Sequence, residues 1–186
     1  RYLLKIAIVP IIAKLICYGL YLIYGETGNV LRLSLFMLPA YFAEGWMLAH
    51  LVRLATKGHR WPFTPSGDVE DDIKIMRQRA RGVLGAMITF VLINLTIAAY
   101  FSLVMNMIPA EILEGKDVDP EQVPAHALFI IILTMTLILW GFRLVWLYIP
   151  AADNMNALTY LKRTKGFLKT CRMMAVWFIC FDPAVM

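Results

Sequence analysis

Residues 82–107 form an unbroken run that contains no acidic, basic or histidine side chain. A helix of about 20 apolar residues crosses the ~30 Å hydrocarbon core of a bilayer, so this run is long enough to span a membrane. The whole chain is 60% hydrophobic and only 17% charged, whereas soluble domains have about 45–50% apolar and about 25% charged residues. We therefore predict an all-α integral membrane protein.

Apolar segments recur along the chain and predict one transmembrane helical domain over residues 1–186, a bundle of four full spans and part of a fifth. The predicted spans are residues 3–24, 30–52, 83–107 and 126–148, with a partial span at 173–186. The predicted connections are the cytoplasmic segments 53–82 and 150–172, which contain amphipathic helices, and the outer loop 108–125. Because the chain begins at Arg1 and ends in an apolar run, we expect either a segment of a longer protein or a chain whose ends are not observed.

The charges of the connecting segments are strongly unequal. Residues 53–81 carry seven Lys or Arg and residues 162–172 carry five, whereas residues 108–125 carry one Lys and five acids. Cytoplasmic loops of membrane proteins are enriched in Lys and Arg. This asymmetry predicts a cytoplasmic N-terminus, and it explains the net charge of +5 without a nucleic-acid partner. The expected location is a bacterial inner (plasma) membrane.

Two opposite charges are predicted to lie at similar depth in the first two spans. Lys14 interrupts an apolar helix, and Glu44 follows Pro39, which is expected to kink the second span. An isolated charge there costs about 2.5–3.5 kcal/mol on insertion scales, so we expect a Lys14–Glu44 pair. The pair is interpreted either as a structural clip or as part of a proton or substrate relay. Its face of the helix is expected to point into the protein and includes Lys14, Cys17, Tyr18, Tyr21 and Tyr24.

Small and amide residues recur at every fourth position of the third span. The row consists of Gly82, Ala86, Phe90, Asn94, Ala98, Ser102 and Asn106, all of them small or amide residues except Phe90. Such a ridge lets a neighbouring helix approach closely and hydrogen-bond across the contact. It is interpreted as a packing face, although a substrate-lining surface has the same pattern. Acids at residues 68–72 followed by bases at 74–81 predict a helix that continues into this span.

Two cytoplasmic features are typical of membrane interfaces. Trp61 and Phe63, in a stretch with two prolines, are interpreted as interfacial aromatic anchors, with a proline-rich docking motif as the alternative. A basic amphipathic helix is predicted after the fourth span, with a cationic stripe that binds anionic headgroups or a partner, or serves only as a topology anchor. The stripe consists of Lys162, Lys165, Lys169 and Arg172.

A span that ends with Arg143 and Leu144, then Pro150 and Ala151, then the basic "LKRTKGF" resembles the bacterial YciC-type membrane proteins. The same residues also resemble the membrane domain of glycerophosphoryl diester phosphodiesterases. The resemblance covers residues 143–172, and Thr164 departs from the serine-containing pattern. It implies roughly six membrane helices and, for the phosphodiesterases, a separate catalytic domain.

The sequence contains no HExxH, GxSxG, Walker or GxGxxG motif and no Cys/His cluster, so no metal or cofactor is expected. The favoured function is a non-enzymatic accessory, scaffold or assembly subunit that contacts lipids and other membrane subunits. A transporter or lipid-handling protein with a polar pathway around Lys14 and Glu44 is the alternative. A membrane enzyme is the least favoured class.

Overall fold

The structure, a computed structural model, describes residues 2–25, 30–107 and 125–185. These residues form helices and no β-strand, which confirms the predicted all-α class. The helices are α1 (Tyr2–Tyr24), α2 (Val30–Phe36), α3 (Leu38–Lys57), α4 (Val69–Met107), α5 (Ala125–Gly141), a 3-10 helix (Phe142–Trp146), α6 (Tyr148–Ala152), α7 (Ala157–Arg163) and α8 (Phe167–Val185). The predicted outer loop falls on residues 108–124, outside this description.

Two of the described helices are long and apolar enough to cross a membrane, Leu4–Tyr24 and Val69–Val104. The pair formed by α2 and α3 is a third candidate if it counts as one span, and it is bent by 64°. The bend lies at Met37, just before Pro39 in the first turn of α3. Proline is tolerated there because the first helical N–H groups have no partner within the helix. The expected kink is therefore present.

The predicted helix before the third span is continuous with it, as expected. Residues 69–107 form one helix, with three acids in its first turn. Asp68 starts the helix, because its Oδ1 accepts a hydrogen bond from the N–H of Glu70 at 3.1 Å. Such a cap satisfies an amide that has no partner within the helix.

The predicted fourth span is not one straight helix. α5 ends at Gly141, and the backbone then forms a 3-10 helix before α6 begins at Tyr148. Tyr148 and Ala152 pack into the core formed with α3 and α4. The burial of these side chains against that core is a tertiary contact that hydropathy does not report.

The single basic helix predicted for residues 150–172 is also wrong. α7 ends at Arg163 and α8 begins at Phe167, with Gly166 between them at φ 127°. Residues other than glycine rarely adopt this backbone conformation, so Gly166 allows the break between α7 and α8. Lys162 therefore belongs to α7, Lys165 to the break, and Lys169 and Arg172 to α8.

The core lies where α3, α4 and α6 meet. Ala49, Ala86, Tyr148 and Ala152 form a buried cluster there. Farther along the contact, a Cβ added to Gly45 of α3 would lie 2.9 Å from the Cα of Met87 in α4. The two backbones are thus close because the residues between them are small, which is how apolar helices gain packing energy in lipid.

Several basic segments meet at one end of the fold. The N–H of Trp61 donates to the hydroxyl of Tyr2, 2.6 Å away, which places the start of α1 beside the segment that follows α3. At the same end, Arg53 of α3 donates to the carbonyl of Ala152 at 2.9 Å. Lys57 forms an ion pair with Asp153 at 2.7 Å. This arrangement places three predicted cytoplasmic segments on the same side.

Candidate functional site

Lys14 and Glu44 are in direct contact. The Nζ of Lys14 lies 2.7 Å from Oε1 of Glu44, so the contact expected from their similar depths is present. The Lys14 side chain is 56% exposed and that of Glu44 is 20% exposed. The pair therefore lies at the edge of the contact between α1 and α3, and its role as clip or relay stays a prediction.

The expectation that this whole face of α1 points inward is wrong in part. Cys17 and Tyr21 are buried, but Lys14 and Tyr18 are exposed. Cys17 packs with Met37 at the bend between α2 and α3. The position of this bend sets the rotation of α1 about its axis. The side of α1 that faces the rest of the protein therefore lies next to the polar face and does not coincide with it.

The predicted packing face of α4 is largely covered. Gly82, Ala86 and Ala98 are buried, and Asn94 and Ser102 are half-buried. The side chain of Asn106 lies outside the part of the structure that is described. Nδ2 of Asn94 donates to the carbonyl of Phe90 at 2.9 Å, within the same helix. The expected hydrogen bond from Asn94 to a neighbouring helix is therefore not present among the described residues.

Gly82 is the tightest point of this face. A Cβ at Gly82 would lie 2.5 Å from the carbonyl oxygen of Ala152 and 2.8 Å from a terminal nitrogen of Arg53. The missing side chain thus makes room for the hydrogen bond between Arg53 and Ala152. No added atom fits there unless α6 or Arg53 moves.

The predicted aromatic anchors form part of a larger cluster. The Trp61 ring is 45% exposed and meets the Trp46 ring edge-on at 5.3 Å between centroids. The guanidinium of Arg79 lies 5.3 Å from the centroid of the Phe63 ring, a cation–π contact. Contact of Trp61 and Phe63 with lipid headgroups stays a prediction.

The predicted cationic stripe is exposed but divided between two helices. Lys162, Lys165, Lys169 and Arg172 are all exposed. The Nζ of Lys169 donates to the carbonyl of Arg163 at 2.8 Å, which ties the start of α8 to the end of α7. Binding of lipid or a partner by these residues stays a prediction.

A cavity of about 660 Å³ lies between α3, the first half of α4 and the segment that joins them, and we call it the basic pocket. It lies at the end where the uncharged run of α4 begins. Its lining includes His50, Trp61, Phe63, Asp72, Met76 and Arg79. Lys14 and Glu44 do not line it.

Two guanidiniums are buried in this region, that of Arg79 in the lining of the basic pocket and that of Arg53 outside the lining. Arg53 is 2% exposed and Arg79 is 8% exposed. Arg53 donates to the carbonyl of Ala152, and Arg79 donates to the carbonyl of Arg60. Neither has a carboxylate within ion-pair distance among the described residues, and the two side chains repel each other. Positive charge is therefore concentrated here without a directly bound anion.

Several polar atoms near these guanidiniums have no hydrogen-bond partner in the described structure. They are Nε of Arg53, Nδ1 of His50 and Nδ1 of His59, all buried. Buried polar atoms usually have a hydrogen-bond partner, so these three atoms are exceptions that lie in one region. Burial lowers the pKa of His59, and the charges of Arg79, Arg53 and Lys57 lower it further, against a smaller opposing effect of Asp153.

Sequence reasoning missed the basic pocket. It assigned Arg53 and Arg79 only to the positive charge of a loop. The sequence signal that could have revealed the pocket is the position of Arg79, three residues before the uncharged run that starts at Gly82. A helix that continues into the membrane carries such a residue to the headgroup region, where it packs against neighbouring segments.

Among the described residues, no group of three or more His, Cys, Asp or Glu side chains is arranged to hold a metal ion. Comparison of the chain with family models, curated proteins and solved structures finds no match. The resemblance of residues 143–172 to YciC-type proteins and to the phosphodiesterase membrane domain therefore stays a prediction.

Proposed function

We propose that this chain is a non-enzymatic integral membrane protein, an accessory, scaffold or assembly subunit whose α1 binds a transmembrane helix of another subunit. The proposal includes the four-span topology with a partial fifth span and a cytoplasmic N-terminus in a bacterial inner membrane. The single observation that carries it is the Lys14–Glu44 ion pair, whose Lys14 side chain is 56% exposed.

The position of Lys14 along α1 makes this exposure costly. In the helix Tyr2–Tyr24 it has roughly 15 Å or more of helix on either side, so its ammonium lies near mid-depth if α1 spans. Charged side chains at that depth face a protein interior or a water-filled cavity and are paired. Glu44 supplies the pairing, but no described side chain covers the outer side of Lys14.

The surface next to Lys14 suits a second helix. Tyr18, one turn further along α1, is exposed and offers a hydroxyl beside the ion pair. Polar side chains and close packing drive helix association in lipid, because apolar contact alone gains nothing over lipid tails. A partner helix with a small or polar residue at this depth would cover the ion pair and bond to Tyr18.

Site-specific photo-crosslinking in the membranes of the expressing host tests the proposal. A benzophenone side chain replaces Tyr18 in one protein and Ile16 in the other. Ile16 is also exposed, but two residues separate it from Tyr18 by about 200° around the helix. We expect a discrete protein adduct from position 18 only, identified by mass spectrometry, and its loss when Lys14→Met and Glu44→Gln are combined.

Three outcomes contradict the proposal. Equal adducts from positions 16 and 18 would mean that α1 has no preferred contact face. An adduct of twice the chain mass would mean a second copy of the chain in place of another subunit. Lipid adducts alone, together with water access to Lys14 shown by a soluble amine reagent, would favour the transport or lipid-handling alternative.

A further inference from the structure

The basic pocket combines buried positive charge with an apolar cavity. Arg79 lines the cavity. Arg53 does not, but a terminal nitrogen of its guanidinium would lie 2.8 Å from a Cβ at Gly82, one turn beyond Arg79 on α4. Arg79 uses one terminal nitrogen on the carbonyl of Arg60, and a guanidinium has five N–H donors in all. The pocket therefore has unused N–H donors of Arg79 in its wall, with Arg53 close by.

The acids near the basic pocket do not neutralise both guanidiniums. Asp72 lines the cavity, but both its carboxylate oxygens accept a hydrogen bond from the N–H of Ser66 at 3.0 Å. Asp153 is paired with Lys57 at 2.7 Å. Arg79 and Asp72 balance within the lining, so the excess of positive charge comes from Arg53 beside the cavity, because the Asp153 near Arg53 is itself paired with Lys57.

The remaining lining is apolar and aromatic. Phe63 stacks under the Arg79 guanidinium, and Met76 and Trp61 extend the apolar wall. At about 660 Å³ the cavity falls within the range of roughly 300–1,000 Å³ found for ligand sites. A ligand that fits this lining has an anionic group at one end and a hydrocarbon chain at the other.

We propose that the basic pocket binds one anionic phospholipid. Its phosphate accepts hydrogen bonds from Arg79, near Arg53, and one acyl chain packs along Phe63, Trp61 and Val83 toward the uncharged run of α4. Arginine suits the phosphate because its planar fork offers two parallel donors. The site lies at the end of the uncharged run of α4, the depth at which headgroups begin if α4 spans. This inference is independent of the proposed subunit function.

Native mass spectrometry of the purified chain in mild detergent provides the test. The probes are phosphatidylglycerol and phosphatidylcholine with the same oleoyl chains, each added at increasing concentration. We expect one phosphatidylglycerol to bind about tenfold more tightly than phosphatidylcholine, because both lipids offer the phosphate but the choline of phosphatidylcholine brings its own positive charge toward Arg79 and Arg53. Equal retention of the two lipids by the wild-type chain would overturn the proposal without any variant.

A matched pair of variants locates the site. Arg79→Gln should lose about tenfold in phosphatidylglycerol affinity, whereas Arg77→Gln should lose less than twofold. Both positions lie on α4 and carry the same charge, but Arg77 is exposed and Arg79 is buried. Equal losses would show that lipid binds by surface charge alone. Arg79→Lys, which keeps the charge, serves if the glutamine variant unfolds, and it should give an intermediate loss.

A third arm separates lipid from a soluble phosphate. Sodium phosphate is added to the chain before phosphatidylglycerol is titrated. We expect competition only at concentrations far above that of the lipid, because inorganic phosphate lacks the acyl chain that packs on Trp61 and Phe63. Displacement at similar concentrations would overturn the lipid assignment. Failure of the α1 crosslinking experiment would leave these results unaffected, since no residue is shared.

Discussion

Lys14 and Glu44 are paired at 2.7 Å, yet the Lys14 side chain is 56% exposed. At the end where α3 finishes, Arg53 and Arg79 are 2% and 8% exposed, yet neither contacts a carboxylate among the described residues. The first region thus holds paired and exposed charge, and the second holds buried charge without a bound anion. The comparison shows that a charge in an apolar setting has two separate requirements. It needs an opposite charge beside it, and it needs other residues that bury it.

Each region meets one requirement from its own residues. Lys14 is already paired with an opposite charge, so a neighbouring helix needs only to bury its exposed side. Arg53 and Arg79 have cover and use backbone carbonyls and the Phe63 ring, which a weakly hydrated guanidinium accepts better than an ammonium does. The contrast predicts different responses to substitution.

The largest effect is expected from Gly82→Ala, which disturbs only the region of buried charge. The new Cβ would lie 2.5 Å from the carbonyl oxygen of Ala152, so α6 must move and the hydrogen bond from Arg53 is weakened. We expect a loss of about 3 kcal/mol in the free energy of unfolding, as for an overpacked core. Denaturation in mild detergent, followed by circular dichroism, measures it.

Gly19→Ala is the matched control for this change. It makes the same substitution within α1, where an added Cβ has no heavy atom within 4 Å. Alanine has a higher helix propensity than glycine, so this variant should be unchanged or slightly more stable. If both variants unfold alike, close packing at Gly82 is not what holds the region of buried charge together.

A smaller effect is expected from the ion pair, in a double-mutant cycle. Lys14→Met and Glu44→Gln should each lower the free energy of unfolding by about 1–2 kcal/mol, because each leaves a polar group without its partner. The double variant should recover most of this loss. Additive losses in the cycle would mean that the two groups do not stabilise one another.

The smallest effect is expected from pH, and again only in the region of buried charge. The pKa of His59 lies below its ordinary value of 6.5, so folding favours the neutral imidazole. Its contribution to stability is complete above pH 6.5 and is lost as the pH falls toward the folded-state pKa. The melting temperature should therefore drop between pH 7.5 and 5.5, and drop less in His59→Gln. The same drop in both proteins would assign it to other groups.

Much of the fold was predictable from local pattern. The uncharged run of residues 82–107 lies within α4, and Asp68 begins that helix as the charge order indicates. The break after Gly141 and the division of the basic helix at Gly166 were not predicted. Both depend on where the following residues pack or turn, and hydrophobicity averaged along the chain does not contain that information.

The candidate sites show the same division. Depth along each helix was enough to bring Lys14 and Glu44 together, because the helical rise is fixed. The rotation of α1 about its axis leaves Lys14 exposed and buries Cys17. It could not be predicted from depth along the helix, since it follows from the bend at Met37. The basic pocket joins His50, Trp61 and Arg79 from three separate segments.

The sequence by itself determined that the chain is helical, that it contains apolar helices long enough to span a membrane, and which charges lie at similar depth. These properties follow from composition, helical rise and the cost of charge in an apolar medium. Only the tertiary structure decided which charges are covered. Burial depends on how α3, α4 and α6 pack around Gly82, and that contact joins residues about 70 positions apart, such as Gly82 and Ala152.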